Sequence, residues 1–94
     1  MRLHITRTPN STKAFKAVFT DKNKTKIIRF GTESNYVLNR NKTKKDRENY
    51  IKRHVVREDF NNPMTAGALS RYILWGDSRS ITKNITAFKK KFNL

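Results

Sequence analysis

The stretch Lys13–Thr32, KAFKAVFTDKNKTKIIRFGT, alternates apolar and polar side chains twice, with a polar interruption between the two runs. In KAFKAVFT (Lys13–Thr20), Phe15, Ala17 and Phe19 fall on one side and Lys16, Val18 and Thr20 on the other. In TKIIRFGT (Thr25–Thr32), Ile28 and Phe30 share a side opposite Ile27 and Arg29. A period of two is that of a half-buried strand, and DKNK (Asp21–Lys24) between the runs reads as a hairpin turn. RLHIT (Arg2–Thr6) alternates in the same way, and Pro9 and Asn10 in TPNST supply turn chemistry before the next strand. Three such strands make an antiparallel meander with one apolar face, which needs a cover before it is stable.

The cover is helical. Gly31–Arg40 is a connector held against the core by Tyr36, Val37 and Leu38, and NKTKKDRENYIKRHVVREDF (Asn41–Phe60) then takes up helical spacing. Thr43 stands three residues before Asp46, a capping box with the shorter acid in place of the usual glutamate. Tyr50, Ile51, His54, Val55 and Glu58 share one side at spacings of three and four, but only three are apolar, so this helix covers little core. Glu48 stands four residues before Lys52, as a helix ion pair prefers. Asn62 and Pro63 open a second helix, Met64–Trp75, with Asn62 or Thr65 as its cap and Gly76 as its C-terminal cap. Within TAGALSRYILWG (Thr65–Gly76), Ala66 and Gly67 are small enough for close approach, and Leu69, Tyr72, Ile73 and Trp75 pack towards the sheet. After Ser78 or Ser80, Ile81, Ile85, Phe88 and Phe92 recur at i, i+4, i+7 and i+11, which marks a third helix. The order predicts an α+β domain: a small antiparallel sheet of about three N-terminal strands covered by three C-terminal helices. Residues 1–94 form one unit, divided into a meander (1–32), a connector (33–42) and a three-helix region (43–94).

Lysine and arginine number 22 against 7 acids, a formal charge of +15 on 94 residues. The excess is no tail, with nine bases against two acids in residues 1–40 and thirteen against five in 41–94. Self-repulsion on this scale is relieved by a polyanion, so nucleic acid is the first partner to consider. There is no cysteine, which excludes disulfides and thiol chemistry. His4 and His54 lack metal-ligand spacing, and no metal or other cofactor is expected. No apolar run exceeds four residues, so the chain reads as neither secreted nor transmembrane. The Asn-x-Ser/Thr triplets at Asn10, Asn23, Asn41 and Asn84 are what an Asn-, Thr- and Lys-rich composition yields by chance.

Catalysis is not indicated. Asp46, Glu48, Glu58 and Asp59 lie among cations and read as charge balance. GDS (Gly76–Ser78) has no nucleophile elbow around it, and phosphate-loop and dinucleotide fingerprints are absent. The chain is therefore expected to be no enzyme and to take no small-molecule substrate.

The candidate interface is basic: Lys44, Lys45, Arg47, Lys52, Arg53 and Arg57 on the first helix, Arg71 on the second, and Lys89, Lys90 and Lys91 at the end of the third. Asn49, Arg53 and Arg57 lie four apart and could present one face to a groove, but no spacing matches a known DNA-reading motif, so phosphate contact without base readout is favoured. Phe15, Phe19, Phe30, Tyr36 and Trp75 could stack bases but read as core, with Trp75 the one most open to partial exposure. His54 reads as a packed, hydrogen-bonded residue rather than a proton switch.

YIKRH (Tyr50–His54), RED (Arg57–Asp59), an aromatic at Phe60, NP (Asn62–Pro63), TAG (Thr65–Gly67) and SRYILWG (Ser70–Gly76) follow one another in order, before an amphipathic helix ending in KKKF (Lys89–Phe92). With FG (Phe30–Gly31), this pattern resembles a family of small basic proteins of unsettled function encoded by nucleocytoplasmic large DNA viruses, the giant viruses of algae and amoebae. The resemblance spans roughly residues 13–94. It departs around Gly76–Ser80 and at Phe60, where a tryptophan is common. It implies a viral origin and a virion component, located in the virion or the host-cell interior, and carries over no catalytic or binding residue.

The function expected is non-sequence-specific binding of the nucleic-acid backbone, with double-stranded DNA as the partner, in packaging or condensation. The alternative is a minor capsid or cementing subunit whose basic face meets acidic capsid protein or membrane headgroups. The edge strand RLHIT could also pair with a second copy, so an oligomer is open.

Overall fold

The computed structural model describes residues 1–8 and 11–94; the turn reading of Pro9 and Asn10 lies outside them. Strands β1 (Arg2–Arg7), β2 (Phe15–Asp21) and β3 (Lys24–Phe30) form an antiparallel sheet in the order β1-β2-β3. Helices α1 (Lys44–Val55), α2 (Ala66–Leu69, continuing as a π-helix through Ser70–Leu74) and α3 (Ile81–Phe92) follow. The protein is an α+β fold, with the meander first and the helices after it, as its alternation predicts.

Register places the apolar positions in ranks across the strands. Leu3 lies opposite Phe19, Ile5 opposite Ala17, Ala17 opposite Ile28 and Phe15 opposite Phe30. Phe15, Ala17, Phe19 and Phe30 are buried, and the Phe15 and Phe30 rings stack with centroids 5.8 Å apart. The interruption is a two-residue turn in which Lys22 takes a left-handed conformation (φ 52°), so both strands begin nearer to it than the alternation alone suggests. Every side chain on the other face of the sheet is exposed or half-buried, because no helix lies over it.

The covered face packs on Leu69, Ile73, Leu74 and Phe88, all at most 1 % exposed. Gly31 ends the sheet with φ 81°, and a β-carbon there would collide with the Leu74 side chain. In the connector, the buried Asn35 accepts from the Val37 and Leu38 amides at 3.0 and 2.8 Å and donates to the Thr32 carbonyl at 2.6 Å. Tyr36 is thereby turned into the core.

Three expectations about the helices are corrected. First, α1 stops at Val55: the Arg57 and Glu58 amides both reach the His54 carbonyl in a tight turn. Arg57 therefore lies beyond the helix, and Val55 is 52 % exposed instead of facing the core. Second, the stretch Met64–Trp75 is not one α-helix. Thr65 caps it by accepting from Ala68 N at 3.1 Å, and from Ser70 the coil widens, with Trp75 N donating to Ser70 O five residues back. Third, Gly76 is no left-handed cap. The carbonyls at the end of the coil are taken mostly by distant donors: Ile73 O by Asn84 Nδ2 at 2.9 Å, Leu74 O by Val37 N at 3.2 Å, and Trp75 O by Arg47, with Arg71 from the coil itself beside it. With those acceptors satisfied, a glycine cap has nothing to do. Gly76 is needed for closeness instead, since a β-carbon would overlap the Tyr72 carbonyl oxygen and lie 2.7 Å from Asn84 Cγ.

α3 is as its period predicts. Ser80 caps it by accepting from Lys83 N, Phe88 is buried, and Ile81, Ile85 and Phe92 pack against the core cluster. Its C-terminus closes on Asn93 in the left-handed region, whose amide returns to Lys89 O and Lys90 O.

Candidate nucleic-acid interface

α1 buries none of its residues. Its amphipathic side is too weak to enter the core, and one side chain anchors it: the Tyr50 ring stacks on Trp75 at 4.4 Å with the planes 6° apart. His54 stacks on the opposite face of Tyr50 at 4.1 Å, which makes a three-ring ladder. The start of the helix is secured by the Thr43 and Asp46 box. Asp46 N donates to Thr43 Oγ1 at 3.1 Å and Thr43 N to Asp46 Oδ2 at 2.8 Å, and these hydrogen bonds hold the Asp46 carboxyl below its ordinary value.

A helix anchored in this way displays its cations. Lys44, Lys45, Lys52 and Arg53 are exposed, and Arg57 is exposed on the turn beyond. Arg47 points the other way. Its Nε lies 3.0 Å from Trp75 O and 2.9 Å from Gly76 O, and its Nη2 pairs with Asp77. Arg71 reaches the same Trp75 carbonyl at 3.2 Å and lies over its neighbour Tyr72, 4.8 Å from the ring centroid. Burial, with Arg47 close by, holds the Arg71 guanidinium below its ordinary value. These two arginines thus close the end of the second helix, where carbonyl dipoles favour cations.

At the end of α3, Lys90 and Lys91 are exposed and Lys89 is half-buried. Lys91 Nζ lies 5.2 Å from the Tyr72 ring centroid, and with Arg71 it borders a cavity of about 240 Å³. The structure therefore joins Arg71 to Lys91 and keeps the outward cations of α1 as a separate group.

A groove of about 470 Å³ lies beside α1, with Tyr50, Ser70 and Trp75 among its lining. Arg53 borders it together with Lys13 from the approach to β2 and Lys42 from the connector, neither of which helical spacing could have found. His54 Nδ1 lies 3.5 Å from Glu58 Oε2 in the same groove, and the Glu58 carboxylate packs on Gly67, where a β-carbon would be 2.6 Å from it. His54 is packed on Tyr50 beside an acidic neighbour, but its side chain is 38 % exposed and Glu58 Oε2 takes no hydrogen bond from it, so the hydrogen-bonded part of the expectation is corrected. Two further residues had no signal in the sequence. Asn84 is buried and donates to Ser78 O at 2.7 Å, besides Ile73 O, while accepting from Ser78 N at 3.1 Å. Arg79 donates to Tyr36 O at 2.8 Å, also to Lys42 O, and lies 4.0 Å from the Tyr36 ring centroid.

No family model, curated protein or solved structure matches this chain. Its own chemistry is the guide to its role. The five aromatics considered for base stacking are all buried, Trp75 at 7 % exposure and the others at 5 % or less. Among the described residues no group of three or more His, Cys, Asp or Glu side chains is placed to hold a metal ion, and no helix is long and apolar enough to cross a membrane.

The Tyr50 anchor carries a pH signature. Burial, reinforced by the negative charge of Glu58, pushes its phenol from 10.0 up to about 12. The folded state favours the neutral phenol, so this stabilisation is complete below pH 10 and is lost as pH rises from there through about 12. Ultraviolet absorbance in alkali should show a phenol ionising near 12, together with loss of helical signal. Absence of any phenol ionising that high, with the helices intact, would contradict the anchor.

Proposed function

We propose that this protein binds double-stranded nucleic acid, DNA foremost, through the phosphate backbone and without strong sequence preference, and so serves to condense or package it. The supporting observation is how little of the charge is neutralised internally. Of 22 lysines and arginines, only Arg7 and Arg47 pair with a carboxylate among the described residues. Lys44, Lys45, Lys52, Arg53 and Arg57 stand outward on α1 and the turn after it, with Glu48 the one exposed acid on that helix. Flexible cations without internal partners suit phosphates, which reward charge and tolerate imprecise placement. Arg47 and Arg71, both engaged by carbonyls, are assigned a supporting part. The viral setting rests only on the resemblance over roughly residues 13–94, and in it the protein would accompany a packaged genome.

Titration of two unrelated duplexes of about 20 base pairs across a salt series tests this reading. Neutralising about five phosphates should give a log–log salt slope of roughly −4 to −5. Both duplexes should bind within about threefold of each other. Absence of binding at ~50 mM salt, or binding indifferent to salt, overturns the proposal and favours a shell or membrane contact for the basic surface.

A further inference from the structure

The helices cover one face of the sheet and leave the other open. The open face carries, rank by rank, Thr6, Lys16 and Arg29, then His4, Val18 and Ile27, then Arg2, Thr20 and Thr25. None of the nine is buried, and none is acidic, although the chain has seven acids. We propose that this open face seats the protein in the major groove of duplex DNA, an inference that rests on the nucleic-acid reading above and adds a groove contact to the phosphate contacts of the α1 cations.

Three properties select this occupant. The charge is of one sign: Arg2, Lys16 and Arg29 are balanced by no carboxylate on the face, so a polyanion is the complementary partner. The dimensions allow a partial fit: strands about 4.8 Å apart let two neighbouring strands enter a major groove about 12 Å wide while the third lies along the flanking phosphates. Alternate residues along a strand are about 6.8 Å apart, close to two base steps of 3.4 Å. The chemistry also discriminates. Phe15, Phe19 and Phe30 are all on the covered face, so His4 is the one ring the open face offers to the unpaired bases that single-stranded RNA presents, a poor stacking platform. The major groove of A-form RNA is too deep and narrow for side chains to read. Cations and threonine hydroxyls suit phosphate oxygens, and the short apolar side chains of Val18 and Ile27 can lie in the groove without selecting a base. Insertion into lipid is disfavoured, since Ile27, 54 % exposed, is the one large hydrophobic of the face that is mostly exposed. Lys16, on the central strand between Thr6 and Arg29, is placed to point along the groove floor, with Arg2 and Arg29 on the edge strands nearer the phosphates.

The test compares two variants that each remove two charges: Lys16→Thr with Arg29→Thr on the sheet, and Lys45→Ala with Lys52→Ala on α1. Threonine suits a strand, and Arg29→Thr alone serves as a second, milder variant on an exposed edge. Affinity for a 20-base-pair duplex is measured at ~100 mM salt, with and without a major-groove dye or a minor-groove drug as competitor. The sheet pair is expected to lose at least tenfold in affinity and Arg29→Thr about threefold, the α1 pair less than the sheet pair. The major-groove dye alone should displace the wild type. Failure of the wild type to bind any duplex would overturn the function proposed above and this inference with it. Wild-type affinity in both sheet variants, or displacement by the minor-groove drug instead, would overturn this inference alone. So would sheet variants that bind DNA normally and lose binding to phosphatidylserine vesicles.

Discussion

Gly76→Ala is expected to destabilise the protein by about 3 kcal/mol, towards the upper end of what overpacking costs. The added methyl group has nowhere to go: on one side is the Tyr72 carbonyl oxygen, fixed by backbone, and on the other the Asn84 side-chain amide, held by its hydrogen bonds to Ile73 and Ser78. Displacing Asn84 would also release the buried Ile73 O and the half-buried Ser78 O and Ser78 N, which its amide satisfies. In a domain of this size, a loss of that order lowers Tm by more than about 10 °C. A melt followed by circular dichroism decides the matter, and a midpoint within about 3 °C of wild type would show that the coil end can move aside. The same substitution at Gly67 meets only the far end of the Glu58 side chain, so it is the harmless comparison.

Leu69→Ala should cost roughly 2 to 4 kcal/mol. Leu69 is wholly enclosed in the cluster that joins the helices to the sheet, and removing three methyl or methylene-sized groups leaves a void that buried neighbours such as Ile73 and Phe88 cannot close without leaving their own contacts. Denaturant unfolding measures the loss. Against a total stability of about 5 to 15 kcal/mol it is a large fraction, so the variant remains folded only at low temperature. The DNA binding proposed above should be unchanged in the folded fraction, because no part of Leu69 reaches the surface. Wild-type stability combined with lost binding would instead place this stretch among the ligand contacts.

The two substitutions divide what was legible in the chain from what was not. Leu69 could be read as core from its place in the least polar stretch, and the structure encloses it. Gly76 could be singled out but not explained: a glycine after a helical run suggests a left-handed cap, whereas here it makes room for an amide eight residues ahead. The outward cations of α1 were readable because a helix displays polar positions at fixed spacing. Arg47 was not distinguishable from Lys44 or Lys45 by that pattern, and only the fold turns it inward onto Trp75 and Gly76. Lys13 and Lys42, which share a groove with Arg53, come from segments with no periodicity to interpret.

The sequence by itself determined the three strands and which side of each is apolar, the cap Thr43, the choice of Ser78 or Ser80 as the cap of α3, and the buried stripe of α3. All of these arise from interactions within a few residues, where alternation or a side-chain oxygen near a free amide leaves a local trace. Tertiary structure alone decided that the second helix widens at Ser70, that Asn84 and Arg79 bind carbonyls 11 and 43 residues away, and that one face of the sheet stays open. The reason is physical: buried carbonyls must find donors wherever the folded chain brings them, and local spacing carries no record of partners so remote.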